Sequence, residues 1–225
     1  MSARACVVLK VGGRVAAEAA SEALALAAAG HEVVVVHGAG PQISAEMARR
    51  GLPVEFVAGR RVTSSAALEV VRESMLRVNA EVCAAIGPDA VGFVGDEIGL
   101  RAERVPGLGL VGDPLPSAPV EIVEALAAGR IPVVAPLAVG PLNVNADEAA
   151  ASLAVGLGAD RILFVTDVPG VLVDGGLVST LPADEADRML DGGAFDGGIV
   201  PKLIAAIHAA RSGVRATIGA TEVLA

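Results

Sequence analysis

The chain has 225 residues, 53% of them apolar and 19% charged, with 17 Lys+Arg against 26 Asp+Glu and a formal net charge of −9. That length holds one sizeable α/β domain or two lobes sharing a sheet, and an apolar half with so few charges excludes a disordered chain. An acidic balance with 2% aromatic residues speaks against a nucleic-acid surface, which needs basic stripes and stacking rings.

A first strand is expected at 5–10, reached so early that no secretory leader is expected before it, and it ends in Lys10-Val11-Gly12-Gly13. An Ala-rich amphipathic stretch then closes at Gly30, and the β-branched run 32–37 follows, ending in His37-Gly38-Ala39-Gly40-Pro41. The same succession recurs at Gly129 before 131–136, at Gly158 before 161–166 and at Gly213 before 214–218, with a further strand at 90–94. Glycine takes the left-handed conformation that closes a helix, and an unbroken Val/Ile run is a strand buried on both faces. Repeated helix-then-buried-strand units predict an α/β protein: a three-layer αβα sandwich around a central, mainly parallel sheet. The Gly- and Pro-rich stretch 101–119 reads as a hairpin and loop. Every apolar run is interrupted well short of the roughly 20 residues that a membrane helix needs. Cys6 and Cys83 form no CxxC pair and read as small core residues in a reducing compartment.

In open α/β sheets ligands bind beyond the carboxyl ends of the strands, so the residues there are the candidates. Glycine turns at strand-to-helix junctions let backbone N–H groups approach an anion, and a helix N-terminus adds about half a positive charge. Two such clusters, each near a lysine, suit a polyphosphate, although neither GxxxxGK[ST] nor a strand-following GxGxxG is present. Lys10 at the inner end of a core strand is costly unless it meets an anion. Lys202, between Pro201 and Leu203-Ile204, reads equally as an exposed first-turn residue. Asp147 sits where a helix N-cap belongs, so by itself it is a cap or a site carboxylate. Glu148 reads as a first-turn charge matching the helix dipole, His37 as a structural hydrogen-bonding residue, and His31 and His208 as exposed helix-edge residues. Arg61 reads equally as a solvated loop charge, and neighbouring Arg60 could take its place.

Six blocks in order carry a family resemblance: Lys10-Val11-Gly12-Gly13, His37-Gly38-Ala39-Gly40-Pro41, Gly59-Arg60-Arg61-Val62-Thr63, Asn143-Val144-Asn145-Ala146-Asp147, Thr166-Asp167-Val168-Pro169-Gly170-Val171-Leu172 and Gly197-Gly198-Ile199-Val200-Pro201-Lys202. Together they resemble the signatures of the amino-acid kinase family over nearly the whole chain. The likeness is strongest to the branch that phosphorylates the γ-carboxylate of N-acetyl-L-glutamate, in arginine biosynthesis, with ATP. The resemblance implies that Lys10 and Lys202 flank the transferring phosphoryl group and that Asp147 holds both ammonium groups. It implies a substrate site from Gly12, Gly13, Ala39, Gly40, Arg61, Asn143 and Asn145. The nucleotide would lie along Asp167, Val168, Pro169, Gly170, Val171 and Leu172, with Phe195, Asp196 and Gly197. Mg2+ would arrive chelated by ATP, with no protein metal cluster. An acceptor-binding and dimerising half, 1–140, would precede an ATP-binding half, 141–225, in a cytoplasmic homodimer insensitive to arginine.

The chemistry of a carboxylate acceptor agrees with these residue types: the group is already ionised at neutral pH, so no general base is required. The barrier is electrostatic, and positioning with charge neutralisation is what lowers it. Three positions depart from the family pattern. Ala39 replaces a glycine, which would cost about 1 kcal/mol if φ there were positive. Ser64 stands where an acidic residue often follows the Arg-Val-Thr run. After the strand at 214–218, residues 219–224 are expected to form a closing strand joined without the usual final helix. Kinases of the same fold act on UMP, carbamate or carrier-linked aminoadipate, and a catalytically weak nucleotide-binding regulator is the reading from another class.

Overall fold

The computed structural model describes residues 5–12, 16–166 and 168–225. Along the chain run β1 (Cys6–Val11), α1 (Ala16–Ala28), β2 (Glu32–His37), α2 (Gly40–Arg49) and the short strands β3 (Phe56–Val57) and β4 (Arg60–Arg61). The helix α3 (Ser65–Ile86) leads to β5 (Ala90–Val94), β6 (Ala102–Arg104), β7 (Val111–Pro114) and α4 (Val120–Ala127). Next come β8 (Ile131–Ala135), β9 (Leu137–Ala138), β10 (Leu142–Val144), α5 (Ala146–Leu157) and β11 (Arg161–Phe164). The chain continues through β12 (Leu172–Val173), β13 (Gly176–Leu177), β14 (Thr180–Pro182) and α6 (Ala183–Asp191). It finishes with α7 (Ile199–Arg211), β15 (Arg215–Ile218) and β16 (Thr221–Leu224).

Eight strands form one sheet in the order β14-β16-β15-β11-β1-β2-β8-β5. Every ladder is parallel except β15 with β16. Side-chain alternation divides the strands cleanly between two layers. Leu9, Val11, Val33, Val35 and Val133 pack with Ile43, Met47, Val71 and Met75 from α2 and α3. Val8, Val34, Val36, Ile162 and Phe164 pack with Ile122, Leu153, Ala186 and Leu203 from α4, α5, α6 and α7. The expected αβα sandwich is therefore observed. Gly30, Gly129, Gly158 and Gly213 all have positive φ, as helix-closing glycines should.

Several local expectations need adjusting. β8 stops at Ala135, β11 at Phe164, and β15 starts only at Arg215. The hairpin in 101–119 exists as β6–β7, yet it belongs to a second, four-stranded sheet of order β6-β7-β10-β9. Strands of two to four residues show no readable alternation, and the β7–β10 pairing is set by distant chain segments. The closing strand is present: β15 turns at Gly219-Ala220 directly into antiparallel β16. Cys6 and Cys83 are free, half-buried and packed at the edges of the two core layers. Among the described residues no helix is long and apolar enough to cross a membrane.

Candidate active site

Lys10 has the parity of Val8 and lies in register with Val36 and Phe164, so it faces the layer of α5 and α7 at the carboxyl end of the sheet. α5 packs against both β1 and α7, which brings two helix N-termini to that point. Lys10 Nζ lies 2.9 Å from Asp147 Oδ1, and Lys202 Nζ approaches the same oxygen at 3.5 Å. Lys202 also donates to the Gly198 carbonyl at 3.3 Å. The contacts at Oδ1 are charge contacts without hydrogen-bond alignment. Burial pushes the Lys10 ammonium below the ordinary lysine range, Asp147 opposes that shift, and Lys202 adds to it. Two cations around one anion leave this point with a positive surplus.

The cap expected at Asp147 is instead Asn145. Its Oδ1 accepts the N–H groups of Asp147 at 2.8 Å and Glu148 at 3.4 Å. With the helix end satisfied by its neighbour, the Asp147 carboxylate is released to face the lysines.

These three residues edge a cleft of about 800 Å³, whose lining includes Gly12, Ala39, Gly40, Arg61, Asn143 and Asn145. Ala39 precedes α2 with φ −139°, so the strain expected for a missing glycine is absent. Among the described residues no side chain caps α2, and its N-terminal turn borders the cleft. Arg61 is buried and donates from Nη2 to Ser44 Oγ at 2.8 Å and to the Gly40 carbonyl at 3.1 Å. Its guanidinium also stacks on Phe56, 4.6 Å from the ring centroid. Among the described residues no carboxylate pairs with Arg61, and burial alone lowers its pKa. Arg60 differs sharply: Glu148 and Asp113 both pair with it. Of the two arginines, Arg61 is the one that no carboxylate among the described residues pairs with.

Asn143 Nδ2 donates to Thr63 Oγ1 at 3.0 Å, and Thr63 Oγ1 donates to the Arg61 carbonyl at 2.7 Å. Thr63 therefore ties two candidate acceptor groups together, a role that sequence reasoning missed although Thr63 closes the Arg-Val-Thr block. Ser44, Phe56 and Met75 were missed as well; Ser44 stands one helical turn after Gly40, which is the one signal for it in the sequence. Ser64 caps α3 by accepting from the Ala67 N–H. His37 is fully buried against Asn79 at 3.2 Å, and burial holds its pKa down at about 4, so it is a neutral structural residue. His208 is exposed as expected, but His31 is half-buried and its Nδ1 accepts the Ala5 N–H.

None of the described residues expected at the nucleotide lines this cleft, although Thr166 and Gly198, at the edges of those two segments, do. Gly13 and Asp167 fall outside the described residues. Val168, Pro169, Leu172, Asp196 and Gly197 are exposed, and Phe195 is half-buried against the core. Val171 is a fully buried core residue whose N–H donates to Thr221 Oγ1, and the adjoining Gly170 is buried too. The alternation that exposes Leu172 turns its neighbour inward. Leu172 and Leu177 instead offer half-exposed apolar side chains on the β12–β13 hairpin.

The sequence profile of the Amino acid kinase family matches residues 5–219. The chain belongs to the amino acid kinase family. A family protein named acetylglutamate kinase from Rubrobacter xylanophilus is 44% identical over 222 residues, covering 94% of this chain and 87% of that protein. Another of that name from Saccharopolyspora erythraea is 40% identical, covering 93% of this chain and 78% of its own length. Among solved structures, smu.665 from Streptococcus mutans UA159 superposes with a TM-score of 0.89 at 28% identity, covering 97% of this chain and 98% of that one.

Proposed function

We propose that this amino acid kinase transfers the γ-phosphoryl group of ATP to the γ-carboxylate of N-acetyl-L-glutamate, giving an acyl phosphate and ADP. The acetylglutamate kinases similar to it at 40–44% identity support the acceptor. The observation that carries the reading is the pair of ammonium groups on Asp147, set in a cleft that also holds an arginine with no carboxylate partner among the described residues.

A carboxylate oxygen attacks the γ-phosphorus while the bond from that phosphorus to the bridging oxygen breaks, so no proton changes hands. What the protein must supply is neutralisation, because two anions are forced together. Lys10 meets the nucleophile side and Lys202 the nucleotide side, with Asp147 fixing both. Backbone N–H groups at Gly12, Ala39 and Gly40 would orient the oxygens of the two anions. Arg61 would take the α-carboxylate with a forked guanidinium, and Asn143 and Asn145 the acetamido end. Adenine and ribose would lie over the β12–β13 region and residues 195–197. Because Asp147 already faces two ammonium groups, Mg2+ would enter on the triphosphate, where it shields the phosphate charge.

In this reading residues 1–140 hold the acceptor and a homodimer contact, residues 141–225 hold ATP, and the enzyme is cytoplasmic. Light scattering should then give twice the 22.3 kDa of one chain. A hydroxamate assay with ATP and N-acetylglutamate tests the activity directly. Glutamate, aspartate and N-acetylaspartate run in parallel test the acceptor, and a signal with any of these but none with N-acetylglutamate overturns the assignment.

A further inference from the structure

Arg60 sits in the cleft but takes no part in the reaction just described. Its Nε donates to both Glu148 carboxylate oxygens, at 3.0 and 3.1 Å, and its Nη2 donates to Asp113 Oδ1 at 2.8 Å. Glu148 follows Asp147 on the first turn of α5, and Asp113 lies on β7. Arg60 itself stands on β4, immediately before Arg61 and just after the tight turn Ala58-Gly59.

Two further contacts hold that turn. Asn145 Nδ2 donates to the Gly59 carbonyl at 3.3 Å. Gly59 also rests against Pro201, whose ring would lie 3.6 Å from a Cβ placed there. Pro201 is the residue before Lys202, so the turn touches α7 as well as α5. At its far end the hairpin is anchored by Arg61, which donates to Ser44 and Gly40, and by Thr63, whose backbone pairs with Leu108 and Leu110. Its turn end has the contacts just described, since among the described residues β3 and β4 are two residues each, ladder with each other, and leave Phe56 and Val57 about half exposed. A two-stranded ribbon of that size is not stable alone in water.

We propose that the Arg60–Glu148–Asp113 ion cluster is a latch that keeps the β3–β4 hairpin down on the cleft and thereby positions Arg61 for the acid. The proposal rests on the acceptor reading above. Glu148 is largely removed from water, so its charge needs the guanidinium, and a fork against a carboxylate is the strong form of that contact. Arg61 can reach Ser44 and Gly40 only with the hairpin down. When the latch is broken, part of the population stands open and the acid must close it. Apparent affinity falls by the closed fraction, whereas chemistry in the closed state is unchanged. Arg60 is thus a positioning residue.

Four variants test this: Arg60→Met, Glu148→Gln, the two combined, and Arg60→Lys. Each is assayed with ATP and N-acetylglutamate, and amide hydrogen exchange of segment 55–62 is measured without substrate. Arg60→Met should raise KM for the acid roughly five- to twentyfold, with kcat held within about twofold, and should speed exchange in the segment. Glu148→Gln should move both readouts the same way by a smaller factor. The combined variant should do no more than Arg60→Met, and Arg60→Lys should fall between it and the parent. Unchanged exchange, a KM effect that multiplies in the combined variant, or a kcat that falls in step would overturn the latch. Should the parent fail to phosphorylate N-acetylglutamate, the acceptor reading fails by itself, and the exchange measurement alone decides whether the hairpin is latched.

Discussion

A lysine on a central β-strand, beside Val36 and Phe164, is tolerable only because an aspartate at the start of a helix meets it at 2.9 Å. Removing that partner strands a buried charge. Asp147→Asn is expected to cost about 3 kcal/mol of stability in urea melts, with Asp147→Asn/Lys10→Met less destabilised than Asp147→Asn alone. For the reaction, Lys10→Arg and Lys202→Arg should each lower kcat far more than they raise KM, since both cations act most when charge moves in the transition state. Arg61→Ala should instead raise KM for the acid; an unchanged KM would remove Arg61 from the acceptor site. His37 gives a separate pH signature. Burial holds its folded pKa at about 4, below the ordinary histidine value of 6.5, so the unfolded chain binds the proton first on acidification. Stability contributed by the neutral ring is complete above pH 6.5 and declines as pH falls toward 4, by up to roughly 3 kcal/mol. His37→Asn should flatten that slope whatever its effect at neutral pH. Lys10 was legible in sequence as a lysine at the inner end of a core strand, whereas Asp147 and Lys202 read equally as a cap and an exposed first-turn residue and were singled out by the family resemblance. The division of labour between Arg60 and Arg61 was not legible, because it depends on Glu148 and Asp113, which are distant in the chain.

Short elements were the least legible and carry the finest positioning. The turn joining β3 to β4 has two residues with positive φ, Ala58 at 48° and Gly59 at 77°, as a tight two-residue hairpin connection requires. Alanine is an uncommon choice there, and Ala58→Asn should stabilise the protein by several tenths of a kcal/mol, readable as a rise in Tm. Within α5 the opposite logic applies at Gly156. A Cβ there would lie 2.2 Å from the backbone of Ser117. Gly156→Ala should therefore destabilise by about 2 kcal/mol or more, even though alanine is the better helix former by about 1 kcal/mol. A sequence reading sees an isolated glycine in a helix and cannot see the loop that crosses it. β9 and β10, which deliver Asn143 to the cleft, escaped notice because they are two and three residues long; they pair with each other locally, and the distant β7 fixes β10 in the small sheet. The burial of Val171 was hidden for a different reason, since a motif names a loop without saying which of its residues turn inward.

At the scale of the molecule, the β-branched runs and their closing glycines were sufficient to give the layers and the mainly parallel sheet. β1 hydrogen-bonds to β2 on one side and β11 on the other, so residues from both halves of the chain share one continuous sheet. Urea unfolding should accordingly proceed in one transition, with far-UV circular dichroism and global amide exchange coinciding; two separated transitions would show halves that fold independently. The alternation along β1 has an evolutionary corollary. Single substitutions at Val7, Val8 or Leu9 change only how well an oily layer fills. Inserting or deleting one residue before Lys10 would rotate its ammonium into the layer of α2 and α3, away from Asp147. A lineage carrying this strand can drift in spelling but not in length, and a scan of one-residue indels between Cys6 and Lys10 should lose every active clone while conservative replacements survive.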